Sequence, residues 1–83
     1  ADPALAAALR ADLLDAGSDD LRSALAVAVG LTRDPAAAPV LEQLLRQYEG
    51  DERVAGYLCI GLGLTGDRTA RETLTEVLQR AER

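Results

Sequence analysis

Few residues of this 83-residue chain carry chemistry, and each competes with a structural use. Gly61-Leu62-Gly63-Leu64-Thr65-Gly66 spells GxGxxG. A turn of that kind cradles a dinucleotide pyrophosphate when it follows a strand and opens a helix. The strand-like run Val54–Ile60 precedes it and a helical pattern follows. Against that use, the matching stretch Ala28-Val29-Gly30-Leu31-Thr32-Arg33 lacks two of the three glycines. The acidic residue expected on a second strand about 20 residues on falls in helical sequence, and no further βαβ unit exists. The reading taken is that these glycines let neighbouring helices approach closely.

Cys59 is the single thiol, so an internal disulfide and a cysteine-based metal framework are excluded. A nucleophilic cysteine needs an activating base or a lowered pKa, and the chain has no His. Cys59 is therefore expected to be a buried core thiol. Asp34 and Asp67 sit at equivalent positions and resemble paired acids, but both stand at helix starts, where Asp caps the backbone. Asp19 and Asp20 lack the spacing of a calcium loop. No catalytic group, metal site or cofactor is expected.

These residues must be positioned by helices. Leu, Val and Ala supply the apolar content, with no Phe, Trp or Met and only Tyr48 and Tyr57 aromatic. Ala and Leu favour helix. Asp2-Pro3 opens the first helix and Gly17 ends it, with Leu5, Leu9 and Leu13 on one stripe. Ser18-Asp19-Asp20 caps a second helix from about Asp20 to Leu31. It turns Leu21, Ala24, Leu25, Ala28 and Val29 inward and Arg22 and Ser23 outward. Asp34-Pro35 starts a third, reaching about Glu49, with Val40, Leu41, Leu44, Leu45 and Tyr48 inward and Pro39 at its fifth residue. Asp51 caps the fourth, which carries Val54, Tyr57, Leu58, Leu62 and Leu64. Gly66 ends it and Asp67 caps the fifth, with Ala70, Leu74, Val77, Leu78 and Ala81 inward. Short connections force antiparallel neighbours.

A shift of 33 residues superimposes Leu21–Arg46 on Val54–Gln79. Leu25 falls on Leu58, Gly30 on Gly63, Thr32 on Thr65, Leu41 on Leu74 and Leu45 on Leu78. A fixed period of this size marks stacked helical repeats. The first helix matches the third at a shift of 32, so it is the second half of a repeat. The organisation read is a single domain over 1–83: a half repeat 1–17 and repeats 18–50 and 51–83. The chain is expected to be a segment of a longer protein. Burial is expected for Leu25, Leu41, Leu45, Leu58, Leu74 and Leu78.

The run Gly63-Leu64-Thr65-Gly66-Asp67 followed by Ala70, Leu74 and Leu78 resembles HEAT repeats, most closely the HEAT-like subtype of phycobilisome lyases. Gly30-Leu31-Thr32-Arg33-Asp34 with Ala37, Leu41 and Leu45 is its first copy. The resemblance covers nearly the whole chain. Arg33 stands where the family usually has Gly, and the Pro that often bends the first helix of a pair is absent from both copies. The resemblance implies a right-handed all-α solenoid of about two and a half repeats, with second helices lining a concave partner-binding face. Some HEAT-repeat enzymes hold iron through His-Glu pairs, a role that a chain without His does not inherit.

A net charge of −5 with no basic patch argues against nucleic acid and anionic membranes. No apolar run of about 18 residues offers a membrane span, and a cytoplasmic setting is the default expectation. The function expected is a non-catalytic protein–protein interaction scaffold. A lyase or assembly-factor domain of the phycobilisome-lyase type is the alternative, and a dinucleotide-binding fragment is a remote one. The expected partner surface is the polar face of the first, third and fifth helices: Arg10, Glu42, Arg46, Arg71, Glu72, Gln79 and Arg80. Repeats stacked side by side would make that face one ridge. Self-association through open ends is a further expectation.

Overall fold

The structure is a computed structural model. It describes residues 2–66 and 68–81, leaving out the side chains of residues 69, 70 and 81. Five helices account for it: α1 (Pro3–Asp15), α2 (Asp19–Leu31), α3 (Ala37–Gln47), α4 (Glu52–Thr65) and α5 (Arg68–Ala81). There is no strand among the described residues.

The starts follow from capping. Asp2 accepts from the Ala4 and Leu5 amides with Pro3 next in line, Ser18 accepts from the Leu21 amide, and Asp51 accepts from the Val54 amide. Each cap satisfies a donor that has no partner within its helix. The α3 start differs from expectation. Asp34 accepts from the Ala36 amide at 3.1 Å, but inside a turn, and the helix begins only at Ala37 without a side-chain cap. Pro39 is thus the third helical residue, where its missing N–H costs nothing. The expected Asp67 cap and the inward Ala70 and Ala81 lie outside the described residues or side chains.

The two copies end alike. The Thr32 hydroxyl donates to the Val29 carbonyl and that of Thr65 to the Leu62 carbonyl, each at 2.6 Å. The next residue closes the turn in both, Arg33 N–H to Gly30 O and Gly66 N–H to Gly63 O. Both next residues are left-handed, with φ 55° at Arg33 and 70° at Gly66. A sequence period has become a structural one, although only one copy has the glycine that this backbone favours.

The most extensive helix contact is α2 on α4; α1 packs on α2, and α3 and α5 pack on α4. The odd-numbered helices touch one another less. The molecule extends 40 × 28 × 15 Å along its principal axes, and one apolar cluster holds the described core apart from Ala6 of α1. That cluster joins Leu13 of α1, Ala26 and Val29 of α2, Leu41 and Leu44 of α3, and Leu58 and Leu62 of α4, among others. The axes of α2 and α4 meet backbone to backbone. A Cβ on Gly61 would stand 2.4 Å from the Ala26 carbonyl oxygen, and one on Gly30 would stand 2.5 Å from that of Gly61. Of the three GxGxxG glycines only Gly61 lies at this close crossing; a Cβ on Gly63 would make an ordinary 3.5 Å contact with Leu74, and one on Gly66 would meet nothing within 4 Å.

Several expected faces need correction. Leu41, Leu45 and Leu58 are buried, and Leu25 and Leu74 partly so, but Leu78 is 64% exposed. Its counterpart Leu45 lies under the α3–α4 contact, whereas no later helix covers α5 among the described residues. Leu5, Leu21 and Tyr57 are also exposed. Arg22 and Ser23 do not look outward. Ser23 is buried, and its hydroxyl has no hydrogen-bond partner among the described residues. Arg22 is half-buried for a reason that bears on the site.

Candidate groove between α3, α4 and α5

Arg22 ties three helices together. Its Nε donates to the Leu13 carbonyl at 3.1 Å, and its Nη2 to the Leu14 carbonyl at 2.8 Å. These are the open carbonyls at the end of α1, where a cation also meets the negative end of the helix dipole. Nη1 donates to the Tyr48 hydroxyl at 3.0 Å, and that hydroxyl donates to Asp19 Oδ1 at 2.8 Å. The guanidinium carbon lies 5.9 Å from the Tyr48 ring centroid, within cation–π range. The plug therefore joins the end of α1, the start of α2 and the end of α3.

The second copy lacks this plug in its sequence. Ala55 stands at the place of Arg22, and Ala81 at that of Tyr48. Near Ala55 the structure opens a groove of about 760 Å³ between α3, α4 and α5. Leu45, Ala55, Cys59 and Val77 give its apolar lining. Glu42, Glu49, Glu52 and Glu76 with Arg46 and Arg80 give the charged part, four acids against two bases. Cys59 is half-buried at the groove wall rather than the core thiol expected, and its partial burial pushes the thiol up from its ordinary pKa.

Three of the expected partner-surface residues, Glu42, Arg46 and Arg80, meet at this groove. Glu42 accepts from the Thr73 hydroxyl at 2.9 Å, holding α5 to α3. Arg80 pairs with Glu49 at 3.6 Å, both largely exposed. Arg71, Glu72 and Gln79 are exposed on α5 but do not line the groove, and Glu72 pairs along its own helix with Arg68 at 3.5 Å. Arg10 lies apart on α1, where it is ion-paired to Asp34. The groove-lining Glu49, Glu52, Ala55, Cys59, Glu76 and Val77 were not among the expected site residues. The loss of Arg22 and Tyr48 in the second copy was the sequence signal for them.

The GxGxxG stretch occupies the last turns of α4 and its left-handed end at Gly66, not a strand-to-helix turn. Among the described residues no group of three or more His, Cys, Asp or Glu is arranged to hold a metal ion. No described helix is long and apolar enough to cross a membrane. Comparison of the chain with protein-family models, curated proteins and solved structures finds no match.

Proposed function

We propose that the chain is a right-handed α-solenoid of about two and a half HEAT-like repeats acting as a non-catalytic protein–protein interaction module. Its groove between α3, α4 and α5 takes a helical segment of a protein partner. The observation that carries this reading is the groove itself, with Leu45, Cys59 and Val77 in its lining among Glu42, Arg46, Glu49 and Arg80. A groove that combines apolar and charged side chains has the mixed composition of a protein interface. The matching hydrogen bonds at the ends of α2 and α4 support the repeat reading.

The test is a selection of displayed amphipathic helical peptides against the folded chain, followed by amide chemical-shift mapping of the best binders. Shifts clustered on Ala55, Cys59 and Val77 are expected. Binders that perturb only other surfaces, or no binder above background, would overturn the proposal.

A further inference from the structure

The C-terminal ends of α1 and α3 are equivalent, but a cation caps only the first. A shift of 32 places Leu13 and Leu14 of α1 on Leu45 and Arg46 of α3, and a shift of 33 places Asp19 and Arg22 of α2 on Glu52 and Ala55 of α4. In the first copy the Arg22 guanidinium donates to the Leu13 and Leu14 carbonyls, and the Tyr48 hydroxyl links it to Asp19. In the second copy the backbone bonds that close α3 run from the Tyr48 amide to Leu44 and from the Asp51 amide to Tyr48. None reaches the Leu45 or Arg46 carbonyl among the described residues. Glu52 keeps the acid of Asp19 and has no ion pair among the described residues. Leu45, Arg46, Glu52 and Ala55 all line the groove. The second copy thus keeps the acceptors and the acid, while Ala55 takes away the cation.

We propose that the α3 end of the groove is a seat for a guanidinium group, supplied by an arginine side chain of the partner segment that docks there. The inference rests on the interaction reading above and gives the partner's chemistry at the same site. The occupant follows from the first copy, where the equivalent acceptors hold a guanidinium. Charge agrees with it. Four acids against two bases line the groove, and one of those bases, Arg80, is engaged with Glu49 on the exposed rim. The negative end of the α3 dipole adds to the attraction for a cation. A guanidinium suits the seat better than an ammonium, because its planar fork meets two neighbouring carbonyls at once. Arg22 makes that fork, with Nε on one carbonyl and Nη2 on the next. Ala81 stands at the place of Tyr48 in the second copy, so the cation–π contact of the first copy is not reproduced. The docked arginine is therefore held less firmly than Arg22.

Two measurements test the seat, and the first needs no partner. Ala55→Arg supplies the guanidinium from the chain itself, at a half-buried position on the groove wall. By NMR, the new Nε–H should exchange with water as slowly as that of Arg22. The melting midpoint should exceed that of Ala55→Gln, which places a neutral side chain at the same position. A new Nε–H that exchanges as in free arginine, or a midpoint no higher than that of Ala55→Gln, would overturn the proposal. The second measurement uses the selected helical peptides whose shifts map to the groove. Their arginines are replaced one at a time by citrulline, which keeps the shape without the charge, and by lysine. At one arginine citrulline should weaken binding about tenfold or more, as loss of a charged hydrogen-bond donor does, and lysine should also bind more weakly than arginine. Groove-binding peptides that have no arginine, or that bind as tightly with citrulline or lysine, would sink the guanidinium seat and leave the interaction reading standing. If no peptide binds the groove, the interaction reading fails and the docked arginine fails with it.

Discussion

At the residue scale, equivalent positions solve one problem with different side chains. Arg33 and Gly66 both close a helix in the left-handed region, and only Gly does so freely. The strain on an L-residue there is about 1–2 kcal/mol, partly offset in a glycine by its greater unfolded-state entropy. Arg33→Gly is therefore expected to stabilise the fold by about 1 kcal/mol, raising the melting midpoint by roughly 4–8 °C for a domain of this size. A thermal melt followed by circular dichroism checks it, and an unchanged or lower midpoint would contradict the strain account. Cys59 belongs to the same scale. Desolvation raises its pKa, so less thiolate is present at pH 7 than in a free cysteine. Its alkylation by iodoacetamide should be slower than that of glutathione at pH 7 and should rise with pH toward an alkaline midpoint. A rate equal to that of the free thiol at pH 7 would show that burial does not control this group.

At the element scale, the decisive feature is how closely α2 and α4 approach. Gly30 and Gly61 remove the Cβ atoms that would hold two backbones apart. Gly61→Ala would drive its methyl into the Ala26 carbonyl, a rigid backbone atom. The expected cost is about 2 kcal/mol or more, as for overpacked cores. Gly56 lies in the same helix with open space around it. There an alanine should stabilise by about 0.5–1 kcal/mol through helix propensity alone. Urea unfolding midpoints of the two variants should thus move in opposite directions. Equal shifts would mean that Gly61 is not at a packed crossing.

At the scale of the whole molecule, burial follows the order in which helices cover one another. Among the described side chains, α1–α4 supply every fully buried core residue, and α5 contributes the partly buried Leu74 and Val77. Leu45 and Leu78 are equivalent in sequence but differ in burial, 7% against 64% exposed. Leu45→Ala should cost about 2–5 kcal/mol. Leu78→Ala should stay within about 0.5 kcal/mol, as exposed substitutions do. Denaturant titration of the pair measures this directly, and similar losses at both positions would show that α5 is covered in solution.

The helices and their caps were legible in the sequence because they depend on near neighbours. Asp2-Pro3, Ser18, Asp51 and Gly66 act within a turn of themselves, and the leucine spacing marks one stripe on each helix. The 33-residue period likewise announced matching ends for α2 and α4, down to the same threonine hydrogen bond. Asp34 misled because an Asp before a Pro caps a turn as readily as a helix, and only the path of the chain chooses between them. Three features belonged to the tertiary structure. Arg22 turned inward because the carbonyls ending α1 and the hydroxyl of Tyr48 converge on it, residues distant in sequence. Leu78 stayed exposed because a periodic pattern specifies a face and not the neighbour that covers it. The groove arose where the second copy lost a plug whose role was visible only once the first copy was folded. Local sequence determined which helices form and where they stop. Long-range packing decided which of their faces meet, because burial is a property of pairs of elements and not of either one alone.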